Sequence, residues 1–403
     1  MGKPLVDTLR KFTAPEFVFG SGAASLVGAY IAKFGAARVL LVSDPGVAAA
    51  GHASSAADRI RGAGVACESF EGVTPNPRDK DVRTGAREYA RHGCDAIVAV
   101  GGGSVIDCAK AIGLMAANDL DVLDFEGVDA VPLPGPPLVC VPTTAGTAAD
   151  ISQFAIINAT MRRTKLAIVS KKAIPDAALI DPDTTVTMDA ELTAATGMDA
   201  LTHAIEAYVS TASSAVTDLH ALESMRLVAE FLSRAVADGE DREARNGMML
   251  ASLFAGLAFS NAGLGIVHAL AHALGGELDL PHGLCNALLL ESAIGFNFDH
   301  AASRYGTVFR ALQAGFSRRN GGGADPEGAP ETPGSQRSSR ADLLAALKRI
   351  RLEAGLDRTL ADLGLSAEKL PSLAANAYRD PCLATNPRYP SLADLEAIYA
   401  GSL

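Results

Sequence analysis

The chain has 403 residues, 48% of them hydrophobic and 20% charged, with a formal net charge of −11. Its length points to two or three domains, and the apolar share can bury a full core, which excludes intrinsic disorder. The acidic balance argues against nucleic acid or anionic lipid as a non-specific partner.

From about residue 36 to 185, short apolar runs alternate with amphipathic stretches. Arg38–Asp44 reads as a buried strand closed by a turn at Pro45-Gly46. Asp95–Val100 is a second strand, running into Gly101-Gly102-Gly103-Ser104 and then a helical pattern. Pro137–Pro142 and Asp176–Asp181 are a third and a fourth. Strands spaced by helices require crossovers, and so a parallel sheet. After Pro182 the character changes. Asp189 to about Arg318 is Ala- and Leu-rich with helical periodicity, which predicts an all-helical domain. Residues 320–340 are rich in Gly, Pro and Ser without periodicity and read as a flexible surface insertion. Helical patterning resumes at Ala341. The expected division is an α/β domain over 1–186 and a helical domain over 187–403, with ligands bound between them.

No run reaches the roughly 18 uncharged apolar residues that a membrane span needs, and Asp107 and Lys110 interrupt the most apolar stretch. The polar start carries no secretory signal, and Val6 stands where a myristoylation motif wants Ser or Thr. The six cysteines form no CxxC pair, which argues against a thiolate zinc site or a disulfide framework. A cytoplasmic enzyme is expected.

Gly101-Gly102-Gly103-Ser104, between a strand and a helix, is a phosphate-binding arrangement: glycines admit the phosphate, and the helix N-terminus offers free N–H groups. It is neither a dinucleotide GxGxxG nor a Walker loop, and a plain structural turn has the same look. Pro142-Thr143-Thr144-Ala145-Gly146-Thr147 also follows a strand and brings hydroxyls to the same sheet edge. Asp44 ends another strand. It can accept hydrogen bonds from an adenosine ribose and would repel a 2′-phosphate, favouring NAD over NADP; its plain alternative is a turn-former before Pro45.

The sharper signal lies further on. Asp199 and His203 are four apart, so a helix presents both on one face, and His268 and His272 repeat the spacing before His282 follows. Four of the eight histidines thus fall in Ala/Leu/Gly-rich surroundings. A single such histidine is ordinarily a core residue bonded to backbone. Four with a paired aspartate are better explained by a metal, because burying each polar group costs several kcal/mol unless it is satisfied. A ligand set without thiolates suits Fe²⁺, Zn²⁺ or another divalent ion.

With these motifs in place, the chain resembles the iron-containing (group III) alcohol dehydrogenase family over nearly its whole length. The likeness rests on Phe17-Val18-Phe19-Gly20 with Gly22, on Gly101–Lys110, on Val141–Thr147 and on the Asp199/His203 segment. It continues through Phe259–Gly265, the His268/His272/His282 segment and Asn386-Pro387-Arg388. The resemblance implies an α/β dinucleotide-binding domain, an all-helical domain and a homodimer or larger assembly, the dehydroquinate synthase-like architecture. It implies Asp199, His203, His268 and His282 as metal ligands, with His272 near substrate and not a ligand. It implies Asp44, Gly102, Gly103, Ser104, Thr143, Thr144 and Lys165 at the cofactor, although Lys165 alone reads as a solvated lysine. Phe154 and Phe259 would wall the substrate pocket, or equally be plain core. Where many members have Gly-Ser-Glu after the threonine loop, this chain has Ala148-Ala149-Asp150. Where many have Pro-His after the Leu288–Leu290 run, it has Glu291-Ser292, which changes the surroundings of the metal helix and removes no ligand.

The expected reaction is reversible oxidation of a primary alcohol or small diol to the aldehyde. The cation acts as Lewis acid, nicotinamide C4 takes the hydride, and His272 or a cofactor ribose hydroxyl passes the proton to solvent. A non-catalytic regulatory relative, or a glycerol- or maleylacetate-type reductase on the same fold, are the alternatives.

Overall fold

The structure, a computed structural model, describes residues 11–162, 164–322 and 339–403. The insertion expected at 320–340 therefore lies, apart from its ends, outside the described residues. The chain divides into two compact units, with the boundary between Met188 and Asp189.

The α/β unit runs β1 (Glu16–Phe19), α1 (Val27–Lys33), β2 (Arg38–Val42), α2 (Pro45–Ala49), α3 (His52–Gly62), β3 (Ala66–Phe70) and α4 (Asp79–His92). It continues with β4 (Ala96–Gly101), α5 (Gly103–Ala117), β5 (Gly127–Val128), β6 (Leu138–Pro142), β7 (Phe154–Ala159), β8 (Thr164–Val169) and β9 (Ala177–Ile180). Six strands form one sheet in the order β1-β9-β6-β4-β2-β3, every pairing parallel. Helices cover both faces, so its central strands read as unbroken apolar runs. Alternation along each strand divides the core. Val39, Leu41, Val98 and Val100 meet Val27, Ile31 and Ile60 of α1 and α3 on one face. Leu40, Val42, Ile97 and Ala99 meet Val82, Ile106 and Ile112 of α4 and α5 on the other.

A smaller sheet, β5-β8-β7, contains an antiparallel hairpin that the strand-helix reading did not anticipate. Ala155 and Ile157 of β7 join the α5 side of the core, which accounts for its alternation of buried and half-buried residues. Lys110 of α5, only 2% exposed, reaches this segment and donates to the carbonyls of Ser152 (2.8 Å) and Phe154 (2.7 Å). Asp107 accepts from the Ile156 amide at 3.1 Å.

The helical unit holds α6 (Ala190–Val209), α7 (Ala215–Ala237), α8 (Arg242–Ala262), α9 (Ile266–Leu278) and α10 (His282–Asn297). It ends with α11 (Ala302–Arg319), α12 (Arg340–Glu353), α13 (Leu370–Ala377) and α14 (Leu392–Ala400). Side-chain N-caps start several of these: Asp189 accepts from Leu192 N, Ser214 from Thr217 N and Asp241 from Ala244 N. Helix α6 is buried without a break from Thr193 to Val209 and is the unit's central helix. Among the described residues, no single helix is long and apolar enough to cross a membrane.

Burial pushes the Asp150 carboxyl up to about 6, against the pull of a backbone hydrogen bond and the Lys110 charge. The folded state therefore holds this proton more tightly than the unfolded chain does. The resulting stability is complete below about pH 4 and is lost as pH rises through 6, amounting to about 3 kcal/mol. Urea midpoints between pH 4 and 7 should show this decline in the parent protein and a flatter profile in Asp150→Asn.

Candidate metal and nucleotide sites

The polar side chains of α6 fall into two groups. The hydroxyls of Thr193, Thr196 and Thr202 turn back to carbonyls of their own helix, at Asp189 (2.7 Å), Leu192 (2.8 Å) and Met198 (2.8 Å). Asp199, His203 and Glu206 do not. They lie at i, i+4 and i+7, one helical face, and meet the starts of α9 and α10.

His268 is on the first turn of α9 and His282 opens α10. Asp199 Oδ1 lies 3.9 Å from His203 Nε2, 3.8 Å from His268 Nε2 and 3.6 Å from His282 Nε2. One ligand atom from each of the four residues lies within 4.8 Å of all the others. A tetrahedral site with bonds of about 2.0–2.2 Å has ligand–ligand edges of about 3.3–3.6 Å. The observed edges are slightly wider, as expected where several acceptors face one another. His203 stacks on His268 (centroids 4.5 Å) and on Phe259 (4.2 Å), so Phe259 is buried and braces the His203 ring.

The chemistry of the donor set also fits a cation. Asn286, one turn after His282, places Nδ2 2.7 Å from Asp199 Oδ1 and 3.2 Å from both His268 Nε2 and His282 Nε2. An amide has two N–H groups and can satisfy at most two of three such atoms. Its own Oδ1 is buried without a hydrogen-bond partner. A donor set this dense, nearly sealed from water, fits a divalent ion.

His272, one turn along α9, is not in this group. Its Nδ1–H donates to Asp380 Oδ2 at 2.7 Å, and its ring stacks on that of His282 with centroids 5.2 Å apart. Asp380 Oδ1 accepts from the Cys382 amide at 2.8 Å. Burial raises the Asp380 carboxyl, but the charge and hydrogen bond of His272, with the Cys382 amide, outweigh it and hold the carboxyl below its usual range.

Backbone approach explains the glycines around this cluster. A Cβ at Gly283 would lie 2.2 Å from the Ala195 carbonyl oxygen, so α10 touches α6 directly. A Cβ at Gly265 would lie 2.8 Å from both Glu206 Oε1 and Asn386 Oδ1. Asn386, in the Asn-Pro-Arg segment, accepts from the Ile266 amide and exchanges hydrogen bonds with Asn297, a structural role. Glu291 accepts from Arg351 (2.7 Å) and Ser292 from Ser402 (2.8 Å), so the departures noted in α10 tie it to α12 and to the turn after α14.

In the α/β unit, Gly101-Gly102-Gly103-Ser104 joins β4 to α5, leaving the amides of the first turn without helical acceptors. The threonine loop packs onto it. A Cβ at Gly102 would meet Thr144 at 2.9 Å, and one at Gly103 would meet Thr147 at 2.7 Å. The glycines are thus required by the neighbouring loop as well as by any phosphate. Thr143 donates its amide to the Gly101 carbonyl (3.0 Å), completing the pairing of β4 with β6. Asp44 caps α2, accepting from Val47 N at 2.9 Å, which is the role of a turn-former. Lys165 is on β8 and half-buried, with Nζ 3.2 Å from Asn76 Oδ1; Phe154 is on β7 of the same unit. Glu206, Asn286 and Asp380 were not anticipated. The first two stand three and four residues after a predicted ligand on the same helix face, a readable signal; Asp380 is 108 residues from His272 and has none.

Known proteins resemble this chain over nearly its whole length. Residues 14–182 match the family described as "Iron-containing alcohol dehydrogenase", and residues 193–403 match "Fe-containing alcohol dehydrogenase family, C-terminal". The chain is 37% identical to the NAD-dependent methanol dehydrogenase of Bacillus methanolicus, covering 97% of this chain and 99% of that protein. It is 38% identical to the 1,3-propanediol dehydrogenase of Klebsiella pneumoniae, covering 94% and 95%. A solved 1,3-propanediol oxidoreductase superposes with a TM-score of 0.90 at 36% identity, covering 98% of this chain and all of that one.

Gly283→Ala should push α10 off α6, at a cost of about 1–3 kcal/mol, and weaken metal binding. Thermal melting and metal content of the variant check this; unchanged metal content would mean that the helix contact does not set the site.

Proposed function

This chain belongs to the iron-containing alcohol dehydrogenase family, whose members use NAD and iron to oxidise alcohols and small diols, and we propose that Asp199, His203, His268 and His282 hold its metal. The observation that carries this assignment is the convergence of their four ligand atoms from α6, α9 and α10. When bound, the cation supplies a Lewis acid that lowers the pKa of a substrate hydroxyl, and NAD supplies the hydride acceptor.

The chain's own residues do the rest. Asp380 fixes the His272 Nδ1 proton, leaving the lone pair on Nε2 to take the hydroxyl proton and pass it on. Phe259 closes one side of the cluster against water. Within the α/β unit, the first turn of α5, with Gly102, Gly103 and Ser104, receives the pyrophosphate, helped by Thr143, Thr144 and Lys165. Asp44 receives the adenosine ribose, and Phe154 faces substrate. Relatives named for methanol and 1,3-propanediol support a terminal CH₂OH as the reacting group. The proposal includes a homodimer or larger assembly acting in the cytoplasm, and a division of labour in which residues 1–186 bind NAD and 187–403 bind metal and substrate.

His268→Ala should lose bound metal and lower turnover by roughly a thousandfold while NAD affinity stays unchanged. NADH absorbance with a panel of primary alcohols and diols, alongside elemental analysis, measures both; full activity in a metal-free variant would overturn the assignment. Asp44→Ser keeps an N-cap acceptor but removes the charge. It should raise the NADP-to-NAD ratio of kcat/KM about tenfold or more. An unchanged ratio would leave Asp44 as a helix cap alone.

A further inference from the structure

Glu206 is among the most confined charged residues of the chain. It is 4% exposed, held between α6 and the start of α9. Three donors converge on its two oxygens. Oε2 accepts from His268 Nδ1 at 2.6 Å and from the Gly265 amide at 3.0 Å, and Oε1 accepts from the Val267 amide at 2.6 Å.

We infer that Glu206 is the positioning residue for the His268 ligand, setting its tautomer and ring orientation and thereby the affinity of the site for a divalent cation. This rests on the ligand assignment proposed above. A carboxylate is an acceptor only, so the proton between it and His268 belongs to Nδ1, and the lone pair belongs to Nε2. Nε2 is the atom that faces Asp199 Oδ1 and Asn286 Nδ2. The opposite tautomer would set a lone pair against the carboxylate and a proton against the cation.

The carboxylate cannot turn away, because the two backbone amides at the start of α9 grip both of its oxygens. Gly265 permits that grip, since a Cβ there would collide with Oε1. Glu206 also sits one turn beyond His203 on the helix that carries Asp199. One helix therefore supplies two ligands and orients a third. Together with Asp199 it places two buried negative charges at a site for a doubly positive ion, and a hydrogen-bonded carboxylate makes the imidazole a stronger donor to metal. Glutamine cannot replace it, because one amide oxygen cannot serve donors that approach from both sides.

Co²⁺ affinity, measured by chelator competition on metal-stripped full-length protein, tests this. Glu206→Gln should weaken Co²⁺ binding about 10–100-fold, with the NAD affinity near the parent value. Binding within twofold of the parent's would overturn the inference while leaving the ligand assignment standing. The ligand assignment itself fails if the parent binds no Co²⁺ or if His268→Ala binds it as tightly as the parent. Should Glu206→Gln not fold, ¹⁵N-histidine NMR of the zinc-loaded parent decides. A hydrogen-bonded Nδ1–H on His268 with Nε2 on zinc supports the inference, and zinc on Nδ1 overturns it.

Discussion

The helical unit is organised by one electrostatic demand: a buried carboxylate and three imidazole acceptors crowd together and must be met by positive charge. An isolated anion in such surroundings costs several kcal/mol, and Asn286 supplies too few N–H groups to offset it. Other features follow. Helix α6 is buried along most of its length, and its threonines satisfy themselves on their own backbone, which frees one face for Asp199, His203 and Glu206. Helices α9 and α10 approach closely enough to contribute a histidine each only because Gly265 and Gly283 bring no side chain.

The α/β unit meets a different constraint with a related device. Its glycine loop is built by two chain segments at the ends of adjacent strands, β4 and β6, and the threonines of one fill the space where the glycines of the other lack a Cβ. Lys110, buried beneath this region, holds the segment entering β7 by its carbonyls. A loop shaped in this way lowers the ordering cost of any ligand it binds.

The parallel sheet and the helical half were legible because their signals are local: apolar runs ending in glycine, then long stretches of period 3.6. The Asp199/His203 pair and the three histidines were legible for the same reason, since spacing on a helix is a property of sequence. The β7–β8 hairpin is less legible, because it breaks the strand-helix alternation and its strands are half-buried at several positions. Asp380 was not readable at all. Its partnership with His272 depends on how the segment after α13 returns to α9, and no local pattern records that return. Glu206 and Asn286 stand in register with the proposed ligands, a signal present in the sequence, and burial then shows that both face inward.

The order in which the site's parts occur along the chain bears on biogenesis. Domains fold largely as units during synthesis, from the N-terminus onward, and the α/β unit is complete before Asp199 is translated. Asp199 and His203 emerge some 65 residues ahead of His268, and the Asp380 brace for His272 comes about a hundred residues later still. On the ligand assignment proposed above, a nascent chain carries two of the four ligands for some 65 residues of its translation. With the ligands proposed above, the set is complete only once the start of α10 has been translated, which places its last member after the whole of α6 and α9.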